Sequence, residues 1–456
     1  MIDVGSTIPW YRQEGWKSAA FPFILLELIF SSVLFVLNFI LDLLERRDYQ
    51  EEKPPEDVMS IIREIDKGEE KESLESKVRN NFKRAQIHQQ DLIDVKIVKS
   101  VFRVTVDLLT TVSGFLPFTY DLGKHLCILL HLGENEIVVC IVFTFLQNVF
   151  NTLVELPWSL YHDFVIEEKH GFNKKSLGLF FTDLVKNFAV EFVISAPLYS
   201  VLIFILRKAG PNGCMYAWIV YFVFSVVLNM LYPIVIMPLF NKMTPMEPSP
   251  LRDRIYELAK SVGFRVGRIQ VIDSSKRTGY SNAAAYGFFG INGILLYDNL
   301  FKHLTEDEII AVLCHELGHW KYGHTYQMLA VSTVYSFLMF KSFSFFVFNE
   351  NLYRSFGFSE TPVMIGLLLF ISTIWGQISE ILSILMNVVS RRAEYQADTF
   401  ATKHGYGHQL KTALTKLEIE NASAIKNHWL VSLIKDSHPS LAERCVRISE
   451  EEKKTN

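Results

Sequence analysis

The five residues His315-Glu316-Leu317-Gly318-His319 carry the strongest chemical signal in the chain. On a helix, positions four apart sit one turn above another, so both imidazoles project from one face and can grip a single metal ion. Glu316 stands beside them, placed to act as general base. Zinc in such a site brings the pKa of a bound water to about 7 and polarises a carbonyl, which is what peptide hydrolysis at neutral pH requires. The pattern therefore predicts a hydrolase with one zinc ion per chain. A catalytic zinc takes three protein ligands and leaves a fourth position open. No histidine completes the longer HExxHxxGxxH form, and His324 comes too early for it. The best donor elsewhere is Glu394, in Ser390-Arg391-Arg392-Ala393-Glu394-Tyr395-Gln396-Ala397-Asp398, where Glu394 and Asp398 share a helix face. Glu394 would be the third ligand, and Asp398 would hydrogen-bond the far nitrogen of a ligand histidine. The alternative for this pair is an exposed one balanced by Arg391 and Arg392. Cys314 is set aside because consecutive helical residues diverge by about 100°. His404 and His408 repeat the four-residue spacing, but Gly405 and Gly407 break the helix between them.

These residues need elements to hold them. The HExxH segment has good helix punctuation: Thr305 with Glu308 makes a capping box, Glu306 and Asp307 suit the first turn, and Gly323 suits the end. Around it, residues 241–325 read as a mixed α/β insertion, with helical periodicity over 251–262, strand character over 268–273 and 293–297, and a hairpin signal at Asn292-Gly293. The rest of the chain is of another kind. Half of the residues are hydrophobic. Windows at 19–44, 137–157, 190–206, 216–239, 329–348 and 362–389 approach the roughly 20 apolar residues that a spanning helix needs. A weaker window, 101–118, is interrupted by Arg103 and Asp107; with it the chain has about seven spans. The first window has no small-residue cleavage site after it and reads as a retained anchor. Glu27, Asn38, Asp107, Asn148, Asn151, Glu155 and Glu380 lie inside these windows. Such groups either face a hydrated chamber within the bundle or bond between helices.

The predicted organisation is spans one to five over 1–240 with a densely charged arm at 45–100 that reads as a solvated helical hairpin or partly disordered excursion, a protease insertion over 241–325, spans six and seven over 326–389, and a polar helical segment over 390–456. With seven spans the arm, the insertion and the C-terminal segment fall on one side, which holds most of the Lys and Arg and is therefore cytosolic. The sequon Asn421-Ala422-Ser423 is then expected to be unused. The net charge of −4 offers no basic field for nucleic acid. Five scattered cysteines, without CxxC, argue against both a disulfide framework and a cysteine-rich zinc site.

Several stretches together resemble the type I CAAX prenyl endopeptidases, a family of integral-membrane zinc proteases: the HExxH followed by Trp320, Leu156-Pro157-Trp158-Ser159-Leu160-Tyr161, Phe164-Val165-Ile166-Glu167-Glu168-Lys169-His170-Gly171-Phe172-Asn173, Ser390 to Asp398, and His438-Pro439. The resemblance covers nearly the whole chain. It implies an all-α polytopic membrane protein of about seven helices enclosing a hydrated chamber, with a small α/β zinc-protease domain on the cytosolic side. It implies removal of the C-terminal tripeptide from isoprenylated CAAX proteins, with an upstream cut in some substrates, and partners limited to prenylated C-termini and the bilayer. Within Ser281 to Gly287 the family adds substrate backbone to a strand edge, and Asn282 and Ala283 match its substrate-binding positions; Ala284 and Ala285 stand where the family commonly carries aromatics. His438 would stabilise the oxyanion, and Arg444 would neutralise or orient the glutamate ligand. Lys453-Lys454-Thr455-Asn456 resembles a dilysine retrieval signal, which implies the endoplasmic reticulum membrane, with the inner nuclear membrane as a further station and the active site on the cytosolic or nucleoplasmic side. Two rival readings are a membrane metalloprotease of quality control and a non-catalytic scaffold associated with a translocon. The Leu-Pro-Trp and Glu-Glu-Lys-His-Gly-Phe-Asn stretches disfavour the first, and Glu316, which a scaffold does not need, disfavours the second.

Overall fold

The computed structural model describes residues 21–66 and 73–455. The N-terminal half is helical: α1 (Phe23–Asp48), α2 (Glu56–Ile65), α3 (Leu74–Ser113), α4 (Phe115–Leu129), α5 (Glu136–Tyr161), α6 (Leu177–Ala209) and α7 (Gly213–Leu231). Among the described residues, four helical stretches are long and apolar enough to cross a membrane, Phe23–Asp48, Glu136–Glu167, Leu177–Phe240 and Val363–Glu420. The pair α3 and α4, bent by 66°, makes a fifth when taken as one span. The difference from about seven has two sources. Leu177–Phe240 holds both α6 and α7, separated by the turn Gly210–Asn212. The window at 329–348 falls mostly on a helix, His324–Phe343, that does not reach that apolarity.

Both readings of the intramembrane polar groups find an example. Glu27, Asp107, Asn148 and Asn151 line one cavity of about 490 Å³, together with Gln147 and Ser372. Glu155 instead meets Lys99 at 2.6 Å and Arg103 at 3.4 Å. An aromatic core that includes Phe143, Phe340, Phe343 and Phe370 packs against this cavity, and Phe143 belongs to both.

The second half opens with β1 (Met243–Pro245), α8 (Pro250–Val262), β2 (Arg268–Ile272), β3 (Ala283–Phe288) and β4 (Ile291–Tyr297). The sheet runs β1-β2-β4-β3, with β2 and β4 parallel and the other pairs antiparallel. The hairpin does not turn at Asn292-Gly293, as the sequence suggested. It turns at Phe289-Gly290, whose φ values of 48° and 84° give the left-handed pair that matches strand twist. Asn292 and Gly293 lie within β4, opposite Gly287 and Tyr286. Gly293 is needed there because the Tyr286 ring crosses it: an added Cβ would sit 2.3 Å from the phenol oxygen.

Next come α9 (Glu306–Lys321), α10 (His324–Phe343), α11 (Gly376–Ala401), α12 (Gly407–Glu420) and α13 (Leu441–Thr455). The charged arm is not a solvated excursion. Val58, Met59, Ile62 and Ile65 of α2 pack with Val78 and Phe82 of α3 against Ile419, Ile425, Leu441 and Cys445, so the arm fastens the C-terminal segment. A second tie joins the membrane half to the strand β3. Arg277 forks onto Asp183 at 3.0 and 3.1 Å, Gly279 N–H donates to Phe172 at 2.9 Å, and the Tyr280 hydroxyl donates to Glu167 at 3.1 Å. All five cysteines are buried and unpaired.

Candidate metal centre

Helix α9 starts on a capping box: the Glu308 N–H donates to the Thr305 hydroxyl, and the Thr305 N–H donates to the Glu308 carboxylate at 2.8 Å. From that fixed start the helix faces Leu313, Cys314 and Leu317 into the core below the sheet. His315 and His319 thereby point toward α11. The two helices approach closely at Gly318, where an added Cβ would lie 3.1 Å from the Ala397 Cα. A glycine inside a helix costs about 1 kcal/mol against alanine, and here it permits that approach.

The approach brings three metal-binding side chains together. His315 Nε2 lies 3.2 Å from His319 Nε2 and 3.5 Å from Glu394 Oε2, and His319 Nε2 lies 3.4 Å from Glu394 Oε1. A tetrahedral zinc with bonds of about 2.0–2.1 Å sets its ligand atoms about 3.3–3.4 Å apart. The three residues thus have the donor types and the spacing of a zinc site, and they form the group that could hold a metal ion among the described residues. Glu316 sits half-buried between the two histidines in sequence.

Asp398 accepts from His315 Nδ1 at 2.9 Å, so the hydrogen stays on that nitrogen, and Nε2, which faces the centre, is the one that gives up its proton to free a lone pair. Arg444 differs in emphasis from what the resemblance implied. Its guanidinium forks onto Asp398 at 2.7 and 2.9 Å, while Glu394 is 3.7 Å away, so its main work is on Asp398. His438 contacts Glu394 Oε1 through Nδ1 at 3.1 Å with its side chain 66% exposed, on the open side of the site. Burial would lower the His315 imidazole, but the bonds to Asp398 and Glu394 outweigh it and hold the group at about 9. His438 is raised as well, chiefly by its bond to Glu394.

Strand β3 lies beside this centre. Ala283 joins the core of Ala311, Cys314 and Leu317, and a Cβ on Gly287 would meet the Trp320 ring at 2.4 Å. As an edge strand, β3 leaves one row of backbone groups for another chain. Asn282, exposed just before it, uses its carboxamide oxygen to accept the Ala283 N–H at 2.8 Å. Two residues escaped the sequence reading: His324 and Gln396 continue a hydrogen-bond chain from His319. The signal for His324 was Gly323, whose φ of 67° breaks the helix and sends the next residue back toward the site.

An HExxH helix under a small sheet, completed by a glutamate from a second helix and set on a bundle of apolar helices, defines a membrane zinc metalloendopeptidase. Residues 245–452 match the sequence model of peptidase family M48, and residues 45–242 match that described as CAAX prenyl protease N-terminal, five membrane helices. The chain belongs to this family. It is 39% identical over 380 residues to the CAAX prenyl protease 1 homolog of Arabidopsis thaliana, covering 82% of this chain and 89% of that one. The human CAAX prenyl protease 1 homolog is 36% identical over 402 residues, with 80% and 85% covered. The crystal structure of S. mikatae Ste24p superposes with a TM-score of 0.85 at 31% identity, over 94% of this chain and 99% of that one.

Proposed function

We propose that this protein removes the C-terminal tripeptide of isoprenylated CAAX proteins, cutting after the prenylated cysteine, and cuts some substrates at an upstream site as well. The observation that carries the reading is the convergence of His315, His319 and Glu394 beside the open edge of β3, in a chain of this family. His315, His319 and Glu394 would hold one zinc ion. When bound, that ion supplies an acidified water and a Lewis acid for the scissile carbonyl. Glu316 takes the proton from the attacking water and returns it to the departing amide nitrogen. His438, on the open side, donates to the oxygen that becomes negative. The substrate adds as a strand along β3, held through Asn282 and Ala283. Asp398 keeps the hydrogen on His315 Nδ1, and Arg444 holds Asp398 in place.

Placing the arm, the sheet and the C-terminal helices on the cytosolic or nucleoplasmic face follows the distribution of Lys and Arg, and the membrane would be that of the endoplasmic reticulum, with the inner nuclear membrane continuous with it. The test is cleavage of a farnesylated CAAX peptide by purified protein. Glu316→Ala should lower tripeptide release by about 10²–10⁴-fold, the usual contribution of a general base. Equal cleavage by the two proteins would sink the mechanism, and a wild type that ignores the prenylated peptide yet cuts an unprenylated membrane protein would overturn the substrate.

A further inference from the structure

The hydrogen-bond chain behind His319 carries a consequence for the metal site. His324 opens α10 directly after the left-handed Gly323 and is 4% exposed. Its Nδ1 lies 2.9 Å from His319 Nδ1, and its Nε2 lies 2.9 Å from Gln396 Oε1. Two ring nitrogens that face each other bond only when one bears the hydrogen and the other a lone pair. Gln396 decides which. Its carbonyl oxygen can only accept, so His324 Nε2 is the donor and His324 Nδ1, in the neutral ring, keeps the lone pair. His319 Nδ1 must then carry the hydrogen. That leaves the His319 lone pair on Nε2, the atom that faces His315 and Glu394 at 3.2 and 3.4 Å. With the amide turned round, its NH₂ group would donate to His324 Nε2, the hydrogen would move to His324 Nδ1, and His319 would have to bear its own on Nε2. No metal could bind there.

We propose that His324 and Gln396 are positioning residues that fix the tautomer and ring orientation of His319 for zinc, doing through two bonds what Asp398 does for His315 through one. The inference rests on the reading of His315, His319 and Glu394 as zinc ligands. It makes one short run of α11 responsible for the whole arrangement: Glu394 as ligand, Asp398 behind one histidine, and Gln396 behind the other. The relay is uncharged, so it orients His319 without adding a third buried carboxylate to Glu394 and Asp398.

The experiment measures zinc affinity of the full-length protein in detergent by competition with a chelator, with peptide cleavage at saturating zinc as the second readout. His324→Phe and Gln396→Met should bind zinc about 10–100-fold more weakly, the usual effect of removing a partner of a metal-bound histidine. KM for the peptide should stay at the wild-type value. Gln396→Glu keeps an acceptor on His324 Nε2 and should retain wild-type affinity. Should His324→Phe fail to fold, the comparison of Gln396→Met with Gln396→Glu still decides. Wild-type affinity in His324→Phe or Gln396→Met, or equal loss in Gln396→Met and Gln396→Glu, overturns the relay. A wild type that takes up no zinc overturns the metal site itself, and the relay with it.

Discussion

His315 meets a carboxylate at each ring nitrogen, Asp398 at Nδ1 and Glu394 at Nε2. Burial works against the charged ring, but these two acceptors hold it protonated up to about pH 9 in the metal-free protein. Zinc needs the Nε2 lone pair and therefore displaces that proton. Apparent zinc affinity, measured at buffered free zinc, is expected to rise about tenfold per pH unit through the neutral range and level off near 9. A flat profile between pH 6.5 and 8.5 would count against it. The same group contributes to the stability of the metal-free fold with the opposite sign: that contribution is complete below about 6.5 and is lost as pH rises through 9. His315, Glu316 and His319 could be read from spacing alone, because helix geometry is local. Glu394, whose carboxylate lies 3.5 and 3.4 Å from the two Nε2 atoms, could be proposed as third ligand because a catalytic zinc site calls for one more protein donor. The attachment of Arg444 to Asp398, and the chain from His319 to Gln396, depend on how distant helices dock, which no local period encodes.

At the scale of elements, the site is the crossing of α9 and α11, and Gly318 sets how near they come. Alanine at this position would favour the helix intrinsically by about 1 kcal/mol, yet its Cβ would press on Ala397 and Phe400 at 3.1 Å. Gly318→Ala is expected to stay folded and to lose about tenfold or more in cleavage rate, because small displacements of reacting groups are costly. A variant with full activity would show that the approach at Gly318 does not place Glu394. The hairpin illustrates how turn chemistry can mislead. Asn-Gly is the strongest short hairpin signal, but Gly293 serves the packing of Tyr286, and the turn falls to Phe289-Gly290. The arm was hidden by its charges. Its apolar residues Val58, Met59, Ile62 and Ile65 have helical spacing, and only the surface they cover, supplied by residues 419–445, is remote.

At the scale of the whole molecule, the arm makes the two halves one unit. Met59 is fully buried against the segment that leads into the helix bearing Arg444. Met59→Ala is expected to destabilise the protein by about 2–5 kcal/mol through the cavity it leaves, seen as a lowered thermal midpoint in detergent. An unchanged midpoint would return the arm to the status of a loose appendage. The long reach between His315 and Arg444, 129 residues apart in sequence, has a meaning for biosynthesis as well. A nascent chain exposes the HExxH helix well before the ribosome has made Glu394, Asp398 and Arg444. Until those residues emerge and dock, the third ligand and the support behind His315 do not exist. On the proposed ligand set, the order of synthesis keeps the protease inert until the helices that bear these residues are in place.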